Sequence, residues 1–265
     1  MTQELRRRRL LGVILALVSA ASFGVMPVLT KVVYDDGAEP IGVLFVRFGL
    51  ASAAMLVIAR VRRDRLPRGQ PLLALAALGG IGYVSQSLCY FFALERISAG
   101  LTALLLYFYP ALVVLLGALL LRERPRLVAV LCVAAATLGT ALTIGPVESG
   151  QTFGVVLGLV SALAYALYIL ASSRVRGVGS YASAATVVTA GAVSFGTLAL
   201  LTSPRLPQAS AAWLALVGVA LVGTVVAVTT FFAALACSAR RTPPSSRPSN
   251  PSSASPSRGS SSVSG

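Results

Sequence analysis

Long apolar runs separated by short polar stretches set the pattern of this chain. Eight runs, at about 10–33, 40–60, 71–94, 98–121, 127–145, 154–173, 181–202 and 211–236, are each long enough as a helix to cross a hydrocarbon core of roughly 30 Å. None shows the ten-residue alternation of a barrel strand, and a spanning segment must satisfy its backbone polar groups internally, so helices are expected. The expected fold class is an all-α integral membrane protein with eight transmembrane helices. Composition agrees: 56% of residues are hydrophobic and only 11% charged, against about 25% charged in soluble domains.

Charge adds an orientation. The net charge of +14 would suit a nucleic-acid binder, but the arginines cluster between the apolar runs, where lipid headgroups lie, and no soluble basic domain holds them. With the N-terminus in the cytoplasm, Arg6–Arg9, the five arginines from Arg60 to Arg68, Arg122, Arg124, Arg126, Arg174, Arg176 and those of the C-terminal tail all fall inside. Only Arg96 and Arg205 fall in outside loops, and the first of these loops instead carries Asp35, Asp36 and Glu39. This is the positive-inside pattern. Arg outnumbering Lys, with much Ala, Gly and Val, suggests a GC-rich bacterial gene, so the expected location is the bacterial plasma membrane, with the N-terminus and the tail cytoplasmic. A signal peptide behind "RRRR" is the rival reading of the first run.

The chain also repeats itself. "GVILALVSA" (12–20) lies over "GVVLGLVSA" (154–162) at an offset of 142, identical at seven of nine positions. "LALAALGGIG" (73–82) lies over "LALVGVALVG" (214–223), and "YFFAL" (90–94) over "FFAAL" (231–235), both at an offset of 141. Two matches in order at nearly one offset imply a duplicated unit of five helices. Five is odd, so the second copy enters the membrane from the opposite face, giving an inverted repeat of the kind that places a site at the membrane midplane. Projecting the fourth span forward predicts a ninth at about 239–262. That stretch is rich in Ser, Pro and Arg and has no apolar cover, so nothing in it is expected to span. The expected organisation is a basic N-terminus (1–9), a first five-helix repeat (10–145), a second repeat lacking its last two helices (146–236) and a disordered tail (237–265). A shifted reading frame would explain the abrupt change of composition; a genuine eight-helix form is the alternative.

At this point the residues resemble a family. "YFFALERISAGLTALLLYFYPALVVLLGALLLRERP" (90–125) and "FVRF" (45–48) look like the EamA-type drug/metabolite transporters. Ala93, Leu94, Ser98, Ala99 and Gly100 around a short turn, Pro110, Glu123, Lys31 and Arg47 fit the family pattern. The resemblance covers about 10–236. It implies ten helices in full-length members, both termini cytoplasmic, and export or import of small metabolites through a central cavity whose ninth helix lines the wall opposite the fourth.

Several residues are candidates for a substrate pathway. Tyr83, Gln86 and Tyr90 share one face of the third span. An amide in hydrocarbon is costly unless it finds a partner or a wet cavity, so Gln86 reads as a pathway residue or an interhelical hydrogen-bonding residue. Ser161, Tyr165, Tyr168 and Ser172 form a matching stripe on the sixth span, and Ser19 and Ser22 lie on the first. Packing alone is the alternative for these serines, as for Gly154 and Gly158. Pro110 frees the Leu106 carbonyl and predicts a kink, with at least one of its neighbours Tyr107 and Tyr109 facing inward. Lys31 and Arg47 read as snorkelling or pairing with Asp35, Asp36 or Glu39, or as a charge that attracts an anionic metabolite. Glu123, between Arg122 and Arg124, reads as a charged gate or cytoplasmic anchor.

The missing residue types narrow the function. The chain has no His, and no Asp or Glu deep in a span, so neither a metal site, a cofactor nor a carboxylate proton relay has a candidate. The expected function is a secondary transporter of small metabolites or drugs, amino acids or similar, with the lipid bilayer as its medium, no nucleic-acid partner, and a homodimer as one allowed assembly. Two alternatives stand beside it: a truncated membrane protein that transports nothing, and a membrane enzyme acting on lipid-linked substrates, for which only Glu95 and Glu123 are near an interface.

Overall fold

A computed structural model of the chain describes residues 3–120, 151–175, 177–231 and the scattered positions 130–131, 133–135, 138–139 and 233. Among the described residues there is no strand, and seven helices are long and apolar enough to cross a membrane. They are α1 (Gln3–Asp35), α2 (Pro40–Val61), α3 (Gln70–Arg96), α4 (Ala99–Leu119), α5 (Thr152–Ser172), α6 (Ser180–Thr202) and α7 (Ser210–Phe231). The helices α5, α6 and α7 are the sixth, seventh and eighth runs of the sequence. Of the fifth, 127–145, only scattered residues are described, all helical. Glu123 and the tail 237–265 lie outside the described residues.

Local sequence explains the helix ends. Gly37 takes φ +85° in the turn after α1, a conformation that costs glycine nothing, and Pro40 opens α2, where its missing N–H is no loss. The Ser98 hydroxyl caps α4 by accepting from the Leu101 amide at 3.2 Å. The helix α4 breaks at Tyr107–Phe108, between Ala99–Leu106 and a segment that starts at Tyr109, just ahead of Pro110. Two helices widen into π-turns, α3 at Leu78–Tyr83 and α7 at Leu221–Val226. Both turns begin inside the two stretches that match in the sequence and run past their ends.

The helices pack as antiparallel pairs. Ser19, Met26, Leu29 and Asp36 of α1 and its turn meet Ala227, Gly223, Gly218 and Gln208 in that order, so α1 runs against α7. Along α3, Tyr83, Gln86 and Ile97 meet Tyr168, Ser161 and Gly154 of α5. In the third pair Phe45, Phe48 and Ser52 of α2 meet Gly196, Phe195 and Thr189 of α6. Glycines permit the closest approaches. A Cβ at Gly79 would run into the Val187 backbone of α6, one at Gly191 would sit 2.6 Å from the Phe48 ring, and one at Gly158 would crowd Leu105. The shared core holds Leu44, Phe48, Met55, Phe91, Leu94, Phe195 and Leu216, all buried. Large apolar side chains such as Val57, Leu73, Leu200 and Leu214 point outward, as a surface that meets acyl chains requires.

Both ends of the bundle are tied by polar contacts. At one end, Asp64, in the loop after α2, accepts from the Ala182 amide at 3.1 Å and so caps the start of α6. At the other end, Asp36 accepts from the Gln208 and Ala209 amides at 2.6 and 2.9 Å, at the start of α7. There too the Glu39 amide donates to the Arg205 carbonyl at 3.0 Å, and the two side chains approach to 3.8 Å. Asp36 and Glu39 of the acidic loop serve the start of α7 and Arg205, while Asp35 stays near Lys31; Arg47, farther along α2, meets none of the three.

Candidate functional site

The polar side chains of the spans find each other near the middle of the bundle. Gln86 is buried, and its amide nitrogen donates to the Ser161 hydroxyl at 3.2 Å. That hydroxyl donates in turn to the Gln86 backbone carbonyl at 3.1 Å, while Ser87 donates to the amide oxygen at 3.3 Å. On the other side of the bundle, Ser19 donates to the Ala227 carbonyl at 2.7 Å. Ser22 turns back on its own helix and bonds the Val18 carbonyl. Ser52 and Thr189 share a hydrogen bond of 2.8 Å between α2 and α6. Among the described residues no fully occluded side-chain nitrogen or oxygen lacks a partner.

Aromatic rings connect these contacts. From α6 to α4, Phe195 touches Phe48 at 4.8 Å, Phe48 touches Tyr83 at 5.4 Å, and Tyr83 stacks on Tyr168 at 5.5 Å. Tyr168 stacks on Tyr165 at 6.0 Å, and Tyr165 meets the edge of Tyr109 at 4.8 Å. Centroid separations of this size are the favoured ones for aromatic pairs. The break before Pro110 is what lets Tyr109 turn in, while Tyr107 stays 57% exposed. Tyr90 lies elsewhere, buried beside Phe91 at 5.8 Å.

The two basic side chains in the spans part company. Lys31 is partly buried near Asp35 and Glu95, at the end of α1. Arg47 does not snorkel: it is 3% exposed, donates from Nε to the Thr224 hydroxyl at 3.0 Å, and lies against the rings of Phe48 and Phe91. Its position about two turns into α2 keeps the near end of the bundle out of its reach.

The structure therefore gathers Tyr83, Gln86, Tyr165 and Tyr168 along α3 and α5, and sets Ser19 apart on α1 against α7. Sequence reasoning missed Thr224, Ser52 and Thr189. The available signal was weak: each is one small hydroxyl in an apolar run, and the partner lies 137 to 177 residues away. A cleft of about 280 Å³ opens toward the Asp64 end, lined by Val57, Ile58, Val61, Arg62, Tyr181 and Thr229, not by the central polar contacts. Among the described residues no group of His, Cys, Asp and Glu could hold a metal ion.

Comparison with known proteins adds three findings. The profile of the EamA-like transporter family matches residues 10–145, just over half of the chain. No curated protein matches. Among solved structures, one crystal structure of a protein superposes with a TM-score of 0.64 at 20% identity, over 84% of this chain and 78% of that one, a likeness of fold.

Proposed function

Because the chain belongs to the EamA-like transporter family, we propose that it is a secondary transporter that moves small metabolites or drugs, amino acids among them, across a bacterial plasma membrane by alternating access. Its moving parts are two inverted halves, one of five spans before residue 146 and one of three spans after it. Its N-terminus and its 237–265 tail lie in the cytoplasm, as the arginine distribution argues.

One observation carries the reading. Ser19 and Ser161 hold the same place in the two matched phrases, 142 residues apart, and Gln86 and Ala227 are 141 apart. Ser19 donates to the carbonyl of Ala227, and Ser161 to the carbonyl of Gln86. Exchanging the two repeats would therefore carry one bond onto the other. The same exchange would swap the pair α1–α7 with α3–α5 and α2 with α6, and would bring the π-turn of α3 close to that of α7, which supports the reading. Halves that meet through a few hydrogen bonds and stacked rings can rock against each other, which is the motion alternating access needs. The pathway runs along the Tyr83, Gln86, Tyr165 and Tyr168 face, with Tyr109 closing it from α4.

The test is counterflow. The full chain is reconstituted in liposomes loaded with unlabelled amino acids, and uptake of labelled amino acids is followed. Accumulation above protein-free liposomes is expected; none for any of the twenty would refute the reading for this substrate class.

A further inference from the structure

Arg47 brings a full positive charge roughly 10 Å along α2 from its start and keeps it there without a counter-ion. Among the described residues no carboxylate pairs with it, and Thr224 alone accepts a hydrogen bond from it. The Phe48 and Phe91 rings lie 5.3 and 5.2 Å from the guanidinium carbon, holding it by cation–π attraction. Thr224 is preset for this task. Its hydroxyl reaches the Val219 carbonyl at 3.5 Å, five residues back in the π-turn of α7, which leaves its lone pairs for Nε. One edge of the guanidinium is thereby anchored. The fork formed by its two terminal amino groups has no acceptor among the described residues.

That fork is not sealed in. No side-chain nitrogen among the described residues is both fully occluded and unbonded, so the terminal amino groups still reach a small gap even though the residue is 3% exposed. A charge held inside a span is costly, and a methionine in its place would avoid that cost. A guanidinium held by its Nε edge, with its fork open, has the geometry that takes a carboxylate through two parallel hydrogen bonds. We infer that Arg47, oriented by Thr224, Phe48 and Phe91, is the subsite that binds the carboxylate of the transported solute, between α2, α3 and α7. The inference rests on the transporter reading and adds a substrate class: monocarboxylates, including amino acids, rather than neutral or cationic drugs.

The experiment measures binding rather than flux, so the two readings fail separately. Thermal unfolding of the full chain in detergent and low-chloride buffer is followed with benzoate, with its neutral analogue benzamide, and with sodium chloride. Benzoate is expected to raise the midpoint in a saturable way, and benzamide and chloride are not, since only a ligand of the folded state stabilises it. Arg47→Met should unfold no earlier than the parent without ligand and should lose the benzoate shift. Thr224→Val keeps the charge but frees its anchored edge, and should raise the half-saturating benzoate concentration about tenfold; it decides the matter if Arg47→Met does not fold. No shift with benzoate, an equal shift with chloride, a shift that survives in Arg47→Met, or unchanged affinity in Thr224→Val would overturn the assignment. Saturable protection without counterflow would sink the transport reading and leave the carboxylate subsite standing.

Discussion

Gln86 and Ser161 are joined by two hydrogen bonds, and Ser19 and Ala227 by one. This difference predicts unequal losses. Ser19→Ala removes one interhelical bond, worth about 0.6 kcal/mol on average in a membrane bundle. Ser161→Ala also leaves the buried Gln86 amide short of its acceptor, which adds a desolvation penalty and brings the loss to about 1–3 kcal/mol. Unfolding in mixed micelles measures both, and equal losses would contradict the argument. For transport, Gln86→Leu is expected to lower counterflow about tenfold while the protein still reaches the membrane in normal amounts. Normal flux in that variant would remove α3 from the pathway.

At the scale of the element, the irregularities matter most. The break in α4 exists because Pro110 has no N–H to give the Leu106 carbonyl and its ring crowds the preceding turn. It turns Tyr109 toward Tyr165 and leaves Tyr107 outside. Pro110→Ala should restore the bond to Leu106 and join the two segments into one helix. Amide exchange at residues 107–109 and 111 is expected to slow by about tenfold or more, and an unchanged rate would show that packing, not proline, sets the break. The π-turns in α3 and α7 act in another way. Gly79 and Gly80 let the widened turn of α3 lie against α6, where the Ser194 hydroxyl donates to the Gly80 carbonyl at 3.1 Å. In α7 the widened turn presents Thr224 to Arg47.

The whole bundle has two tied ends, one at Asp64 and the start of α6, the other at Asp36, Glu39, Arg205 and the start of α7. The helix α2, with 22 residues, separates them by about 33 Å. With Cys89, Cys132 and Cys237 first replaced by Ala, Arg62→Cys should react with a membrane-impermeant maleimide only after cells are opened. Arg205→Cys should react in intact cells. Labelling of both from one side would dismantle the inverted arrangement and the pathway with it.

Seven of the spans were legible in the sequence because a bilayer imposes a length and a polarity that each run meets on its own. The kink at Pro110 and the tight packing at Gly154 and Gly158 were legible for the same reason, since one residue type dictates one local geometry. The phrases "GVILALVSA" and "GVVLGLVSA" set Ser19 and Ser161 at matching places by sequence alone. What no local pattern contained was the partner of each polar group. Whether Gln86 faced lipid, water or a serine, and whether Arg47 rose to the surface or stayed between two rings, depended on helices far along the chain. A hydrogen bond in a membrane interior is chosen by which helices pack together. Only the tertiary structure decided that.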